Sequence, residues 1–130
     1  LSCKRLVPVK ILLVEDEPGV RKMTRQILEL QGYRVWDAAN GQAALDFVQA
    51  MPVPIDVLVT DVVMPGIGGR QLADALRAIY RNLHVIFISG YQKDLGVTES
   101  TLKPDEAFLK KPFSQEELLS AVGKSMAREF

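Results

Sequence analysis

The sequence has very few residues that could build a disulfide framework or a soft-metal centre. Its 130 residues include one cysteine, Cys3, and one histidine, His84. A single thiol forms neither an internal disulfide nor a cysteine-based metal cluster, which excludes both. Such low cysteine usage fits a reducing compartment. We therefore expect Cys3 to be inert and the domain to be cytoplasmic, with membrane anchoring of a parent protein left open.

A surplus of one charge is also missing. Lys and Arg together number 16, as do Asp and Glu, so the formal net charge is zero. Without a basic surplus, electrostatic attraction to nucleic acid or to an anionic membrane is not expected. The sequence also lacks an apolar run of the ~20 residues that span a bilayer as a helix. We predict that this domain itself contacts neither nucleic acid nor a membrane, and a weak homodimer is left open.

What the chain does contain is a series of short apolar runs, each of strand length. Three are strong, at residues 11–14, 55–59 and 85–88, and two are weaker, at residues 33–36 and 107–109. Near-continuous apolar runs of this length are typical of strands buried on both faces of a parallel sheet.

Apolar residues at helical spacing fill the segments between these runs. Proline and glycine mark several helix ends, and a Ser-x-x-Glu capping box marks the start of the last helix. The first predicted helix runs from Pro18 to near Gly32, the second ends at Pro52 and the third ends at Asn82. A short and weak fourth helix is predicted over residues 92–101, and the fifth runs onward from Ser114.

Five alternations of strand and helix predict an α/β fold with a parallel sheet and helices on both faces. The fold class is a doubly wound, five-stranded parallel sheet, arranged as a flavodoxin-like (βα)5 three-layer sandwich. We expect one domain over residues 1–130, with its core at about residues 9–127.

Polar side chains occur where the predicted strands end. In doubly wound sheets, ligands bind beyond the carboxyl ends of the strands. The first, third, fourth and fifth strands end, in that order, at Glu15-Asp16-Glu17, Asp61, Ser89-Gly90 and Lys110-Lys111-Pro112. Acids, a hydroxyl and an ammonium are therefore expected to meet at one edge of the sheet.

This set of side chains suits phosphoryl transfer. Clustered carboxylates repel one another unless a cation lies among them, and oxygen ligands from short loops suit Mg²⁺. A lysine ammonium and the Ser89 hydroxyl suit phosphoryl oxygens. Positioning and charge neutralisation then carry most of the catalysis. A carboxylate can be the covalent acceptor, and Asp61 is best placed because it stands alone on the central strand.

Four segments in order carry a family resemblance. They are residues 13–18, residues 60–65 with Gly69, residues 88–91 and residues 109–113. With them the chain resembles the receiver domain of two-component response regulators over nearly its full length. The resemblance implies that a histidine kinase or a histidine phosphotransfer domain phosphorylates Asp61.

The same resemblance implies a Mg²⁺ site and a contact set for the phosphoryl group. Glu15 and Asp16 occupy the acidic-pair positions, and Asp61 and the backbone carbonyl of Val63 complete the implied metal ligands. The phosphoryl contacts and the switch are implied at Ser89, Lys111 and Phe108, with Ser89 serving both roles. A cis peptide is implied between Lys111 and Pro112. The domain is expected to assist its own phosphorylation and dephosphorylation without being an enzyme that turns over a separate substrate, although its parent protein could be a histidine kinase.

Two features depart from the family pattern or point beyond this chain. Gly68 stands where the family usually has a helix-capping side chain, which predicts a loosely started third helix. The chain lacks an initiator methionine, and residues 88–91 are similar to those of hybrid sensor kinases. Together these predict the receiver of a hybrid histidine kinase, with a stand-alone or DNA-binding regulator as the alternative.

Three other classes of protein fit this sequence less well. An FMN-binding flavodoxin-like module would need small or hydroxyl residues where the acidic Glu15 to Glu17 loop stands, and a yellow purified protein would indicate it. A haloacid-dehalogenase-type phosphatase would need a second aspartate at Val63, and turnover of a phosphate ester would reveal it. A degenerate receiver that only binds partners is disfavoured by the intact Asp, Ser and Lys set.

Overall fold

The computed structural model describes residues 8–90 and 102–127. Within them lie five strands and four helices, numbered here in chain order. The strands are β1 (Lys10–Val14), β2 (Arg34–Ala38), β3 (Val57–Asp61), β4 (His84–Ser89) and β5 (Glu106–Lys110), and the helices are α1 (Pro18–Leu30), α2 (Gly41–Ala50), α3 (Gly69–Arg77) and α4 (Gln115–Ala127). The predicted helix at residues 92–101 and Cys3 fall outside the described residues.

All five strands belong to one parallel sheet with the order β2-β1-β3-β4-β5. The chain moves outward from β1 to β2, returns to β3 and continues to the other edge, which is the doubly wound topology. The predicted α/β fold class is therefore confirmed. Because β1 and β3 are adjacent and parallel, their carboxyl ends open beside each other at the point where the strand order reverses.

Two apolar clusters cover the two faces of the sheet. The first packs α2 and α3 against residues such as Leu12, Leu58 and Phe87. The second packs α1 and α4 against residues such as Ile11 and Val59. Successive residues of a strand point to opposite faces, so both sets of side chains are buried and the strands read as continuous apolar runs.

Two details differ from the sequence pattern. The third strand begins at Val57 and not at residue 55, because the Asp56 side chain accepts a hydrogen bond from the backbone N–H of Lys10 at 2.8 Å and holds the chain before the strand starts. On α1, Met23 and Leu30 are exposed although they continue the apolar spacing. Within the described residues, no helix is both long and apolar enough to cross a membrane.

Candidate functional site

Asp61 is the last residue of β3, and its side chain is buried at the carboxyl edge of the sheet. Lys111 follows β5 directly, and its ammonium nitrogen lies 3.1 Å from Oδ1 of Asp61 and 2.8 Å from Oε1 of Glu15. The backbone N–H of Lys111 donates to the Ser89 carbonyl oxygen at 2.7 Å. This bond extends the β4–β5 pairing and brings the ammonium to the two carboxylates.

The loop between β1 and α1 supplies the other two acids. Glu15 is buried, and its Oε2 accepts a hydrogen bond from the backbone N–H of Glu17 at 3.0 Å. Asp16 is exposed. One carboxylate oxygen from each of Glu15, Asp16 and Asp61 lies within 4.8 Å of the others. Three such oxygens beside open solvent fit a small, hard, partly hydrated cation such as Mg²⁺.

The buried carboxyls of Asp61 and Glu15 perturb each other. Burial, together with the neighbouring Glu15 carboxylate, raises the pKa of Asp61 to about 8, although Lys111 opposes the rise. For Glu15, burial acts to raise the pKa, but hydrogen bonds from Asp61 and Lys111 outweigh it and lower the pKa below its usual value. Two carboxyls this close do not both ionise readily without added positive charge.

The remaining predicted site residues occupy neighbouring strand ends and loops. Ser89 ends β4, is buried, and donates from its hydroxyl to the Gly90 carbonyl oxygen at 3.0 Å. Phe108 lies in the middle of β5, partly buried against the α2 and α3 side of the core. Val63 lies two residues beyond Asp61 with an exposed side chain. The peptide between Lys111 and Pro112 is cis, as predicted.

Two residues that shape the site were not found from the sequence as site residues. Gly69 begins α3, and a Cβ atom there would overlap the carbonyl oxygen of Asp61. Arg21, on α1, donates from Nη1 to the backbone carbonyl of Glu15 at 2.8 Å. The only signal for Arg21 was a cation near the start of a helix, where the helix dipole is unfavourable for it.

An ion-pair network between α3 and the first residue of β5 was also missed. Glu106 on β5 has a fully buried carboxylate, which Arg70 contacts at 2.6 and 2.8 Å and Arg77 at 2.6 Å. The guanidinium of Arg70 also lies 4.7 Å from the centre of the Phe87 ring. Glu106 lies directly before the strand predicted at residues 107–109, and nothing in the sequence indicated which residues would pair with it. At the start of α3, Gly68 offers no capping side chain, and its N–H donates to the Gln71 side chain at 3.3 Å. The loose start of this helix stays a prediction.

Comparison with known proteins gives a consistent result. The family model described as "Response regulator receiver domain" matches residues 11–123. The sensor kinase CckA of Brucella abortus is 35% identical over 119 residues, which are 92% of this chain and 13% of that protein. The sporulation initiation phosphotransferase F of Bacillus subtilis is 32% identical over 88% of this chain and 91% of its own.

Solved structures agree in fold and in sequence. The receiver domain of the hybrid histidine kinase CckA has a TM-score of 0.76 and 35% identity, covering 90% of this chain and 98% of that one. A response regulator receiver domain protein from Clostridium thermocellum has a TM-score of 0.82 and 26% identity, covering 93% and 96% of the two chains. Several relatives are much longer: the chain spans 53% of the Synechocystis response regulator Rre1.

Proposed function

The chain belongs to the response regulator receiver domain family of two-component systems, whose members are phosphorylated on an aspartate, and we propose that Asp61 is the phosphoacceptor of this member. The observation that carries the proposal is the contact at 3.1 Å between the Lys111 ammonium and the Asp61 carboxyl at the carboxyl edge of the sheet. A carboxylate oxygen of Asp61 forms the new bond to phosphorus, while the bond from phosphorus to the donor's histidine nitrogen breaks. The Lys111 ammonium is placed to neutralise phosphoryl charge.

Mg²⁺ is the cofactor that the donor set supports. Glu15, Asp16 and Asp61 would hold it through carboxylate oxygens, and the Val63 carbonyl would be a further ligand. When bound, the ion supplies positive charge that offsets the acceptor and the incoming phosphoryl group. One ligand is already oriented without the ion, because the Glu17 N–H donates to Oε2 of Glu15 at 3.0 Å.

Phosphorylation is also proposed to change the signalling surface. Among the described residues, the Ser89 hydroxyl donates to the adjacent Gly90 carbonyl at 3.0 Å, and a phosphoryl oxygen at Asp61 can compete for this hydroxyl. Phe108 lies on the neighbouring strand, and a shift of Ser89 would open room for its ring. A small covalent change would thereby bias two arrangements that a partner distinguishes.

The proposed partners are a histidine kinase or a histidine phosphotransfer domain, which would meet the domain in the cytoplasm. The 35% identity to the receiver segment of a sensor kinase supports a hybrid-kinase parent. The domain would assist its own phosphorylation and dephosphorylation and would not turn over a separate substrate. A DNA-binding domain directly downstream in the gene would contradict the hybrid-kinase part of this proposal alone.

The test is phosphoryl uptake from a small acyl phosphate, followed by intact mass. We expect wild type with Mg²⁺ to gain one phosphoryl group and Asp61→Asn to gain none. Asp46→Asn is the matched control, because Asp46 is exposed on α2; it should behave as wild type. Excess EDTA should prevent uptake. Equal uptake by Asp61→Asn and wild type would show that the acceptor lies elsewhere.

A further inference from the structure

We propose that Arg21 is a positioning residue for the metal-binding loop, because its guanidinium fixes the peptide that joins Glu15 to Asp16. This inference rests on the proposed function, since it concerns how the chain arranges its ligands for Mg²⁺. Arg21 touches neither the phosphoryl group nor the ion in this assignment. It acts through the backbone of the loop.

The geometry consists of one well-formed contact to the backbone. Nη1 of Arg21 donates to the carbonyl oxygen of Glu15 at 2.8 Å in a partly buried setting. That oxygen belongs to the peptide unit shared with Asp16. Because a peptide unit is planar, holding its carbonyl also sets the direction of the Asp16 N–H and the position of its Cα. One hydrogen bond therefore orients the residue that follows.

Asp16 needs this support more than Glu15 does. The Glu15 carboxylate is already held by the Glu17 N–H at 3.0 Å and by Lys111 at 2.8 Å. Asp16 is exposed, and within the described part of the chain its carboxylate accepts no hydrogen bond. The place of Asp16 in the group of three carboxylates therefore depends on its backbone. Arg21 holds that backbone through its hydrogen bond to the Glu15 carbonyl.

The support comes from a rigid element. The N–H of Arg21 donates to the Glu17 carbonyl at 2.9 Å within α1, and the Glu17 side chain caps the same helix by accepting from the Gly19 N–H at 3.0 Å. The guanidinium is therefore anchored on the helix that starts where the loop ends. A cation near a helix start is opposed by the helix dipole, so its contact with Glu15 must offset that cost.

Positioning and simple charge predict opposite effects on Mg²⁺ binding. As a nearby positive charge, Arg21 repels the ion, so removing the charge would tighten binding. As the residue that orients Asp16, it improves the ligand arrangement, so removing it would weaken binding. Loss of such outer partners typically costs 10–100-fold in metal affinity. The sign of the change therefore identifies the role.

The experiment measures the Mg²⁺ dissociation constant of the unphosphorylated domain by isothermal titration calorimetry. We expect Arg21→Met to weaken binding about tenfold, and Arg21→Lys, which keeps a long cationic donor, to recover most of the loss. Arg25→Met is the matched control: it removes the same charge from the same helix, but Arg25 pairs with Glu29 and Asp37 at 3.2 Å, away from the loop. Its affinity should match wild type.

A second readout does not depend on the metal. Loss of the hydrogen bond to the Glu15 carbonyl should shift the amide ¹⁵N resonance of Asp16 in metal-free Arg21→Met, and not in Arg25→Met. If Arg21→Met does not fold, Arg21→Gln replaces it in both measurements. Unchanged or tighter Mg²⁺ binding in the Arg21 variant overturns this inference, while Mg²⁺ uptake by wild type and its loss in Asp16→Ala leave the proposed function standing. A wild type that binds no Mg²⁺ overturns the metal part of the proposed function as well.

Discussion

Gly69 decides how closely α3 approaches the residue proposed to carry the phosphoryl group. Its N–H donates to the Val62 carbonyl at 2.8 Å, and the position that a Cβ would occupy overlaps the Asp61 carbonyl oxygen and lies 3.1 Å from the Val62 Cα. These neighbours are backbone atoms and cannot rotate aside. The absence of a side chain at Gly69 therefore lets the helix begin directly against the end of β3.

We predict that Gly69→Ala destabilises the domain by about 1–3 kcal/mol, the usual range for an overpacked interior site. It should also lower phosphoryl uptake, since the backbone of Asp61 has to move. Gly123→Ala is the control, because a Cβ at Gly123 on α4 meets nothing within 4 Å. Alanine is the better helix former by about 1 kcal/mol, so this variant should be more stable. Urea unfolding measures the stability of both variants, and equal changes in their free energies of unfolding would refute the prediction.

At the residue scale, side chains that take part in the chemistry could be predicted from the sequence, whereas the residues that position them could not. Asp61 and Lys111 were found because acids, a hydroxyl and an ammonium occur together at the ends of the predicted strands. Arg21 and Gly69 act through backbone contacts that depend on the angle at which a helix leaves the sheet. No spacing in the sequence encodes that angle, so the hydrogen bond at 2.8 Å from Arg21 to Glu15 could be found only from the structure.

At the scale of elements, α3 and β5 are joined across β4 by buried charge. Glu106 receives Arg70 and Arg77 from α3, and its carboxylate also accepts from the Lys103 N–H at 2.8 Å. Burial alone would raise the pKa of Glu106, but these partners lower it to about 2. Removing one member of a buried ion pair leaves the other charge uncompensated, which typically costs 3–5 kcal/mol. The network thus links α3 to the edge strand β5 through buried charge.

We predict an acid-dependent loss of stability from this network. A carboxyl whose folded pKa of about 2 lies below its ordinary value of 4.5 stabilises the fold above that ordinary value, and this stabilisation is lost as pH falls from about 4.5 to about 2. Each unit of difference corresponds to about 1.4 kcal/mol. Glu106→Gln should be less stable than wild type at pH 7 and show a flatter profile over that acid range in urea unfolding.

The control for this prediction is Glu29→Gln. Glu29 pairs with Arg25 at 3.2 Å, but both side chains are well exposed, and such pairs contribute about 0.3–0.5 kcal/mol. The variant should keep the wild-type pH profile. A Glu106→Gln variant as stable as wild type at pH 7, with the same acid profile, would contradict a stabilising role for the buried carboxylate.

At the scale of the whole molecule, the order of elements was predictable and their lateral contacts were not. Near-continuous apolar strands such as residues 85–88 are typical of a parallel sheet covered on both faces, so five parallel strands could be predicted, and the structure gives their lateral order as β2-β1-β3-β4-β5. β3 begins at Val57 and not at the predicted residue 55, because the Asp56 side chain accepts a hydrogen bond from the N–H of Lys10 at 2.8 Å. A local pattern carries no information about such a partner, which lies 46 residues away in the chain.

The parallel register also connects the proposed phosphorylation site to a distant face. Asp61 pairs with Ile88, and Phe87 pairs with Phe108, so one strand separates the acceptor from the edge strand. The Arg70 guanidinium lies over the Phe87 ring, 4.7 Å from the ring centre. A change at Ser89, two residues beyond Phe87 on β4, is therefore well placed to reach Phe108. A bias of about 1.4 kcal/mol shifts the ratio of two arrangements tenfold.

We predict that beryllofluoride with Mg²⁺, which mimics the phosphoryl group, changes the NMR resonances of Ser89 and of the Phe108 ring in wild type. Ser89→Ala should still bind the mimic, since the Asp61 and Lys111 groups are intact, but should shift the Phe108 ring less because the hydroxyl that moves is gone. Asp61→Asn is the control and should show neither change. If wild-type perturbations stay confined to the loops after β1 and β3, the domain carries a phosphoryl group without this switch. That outcome would suit a receiver whose task is to pass the group onward, and it would leave Asp61 as the acceptor while removing Phe108 from the mechanism.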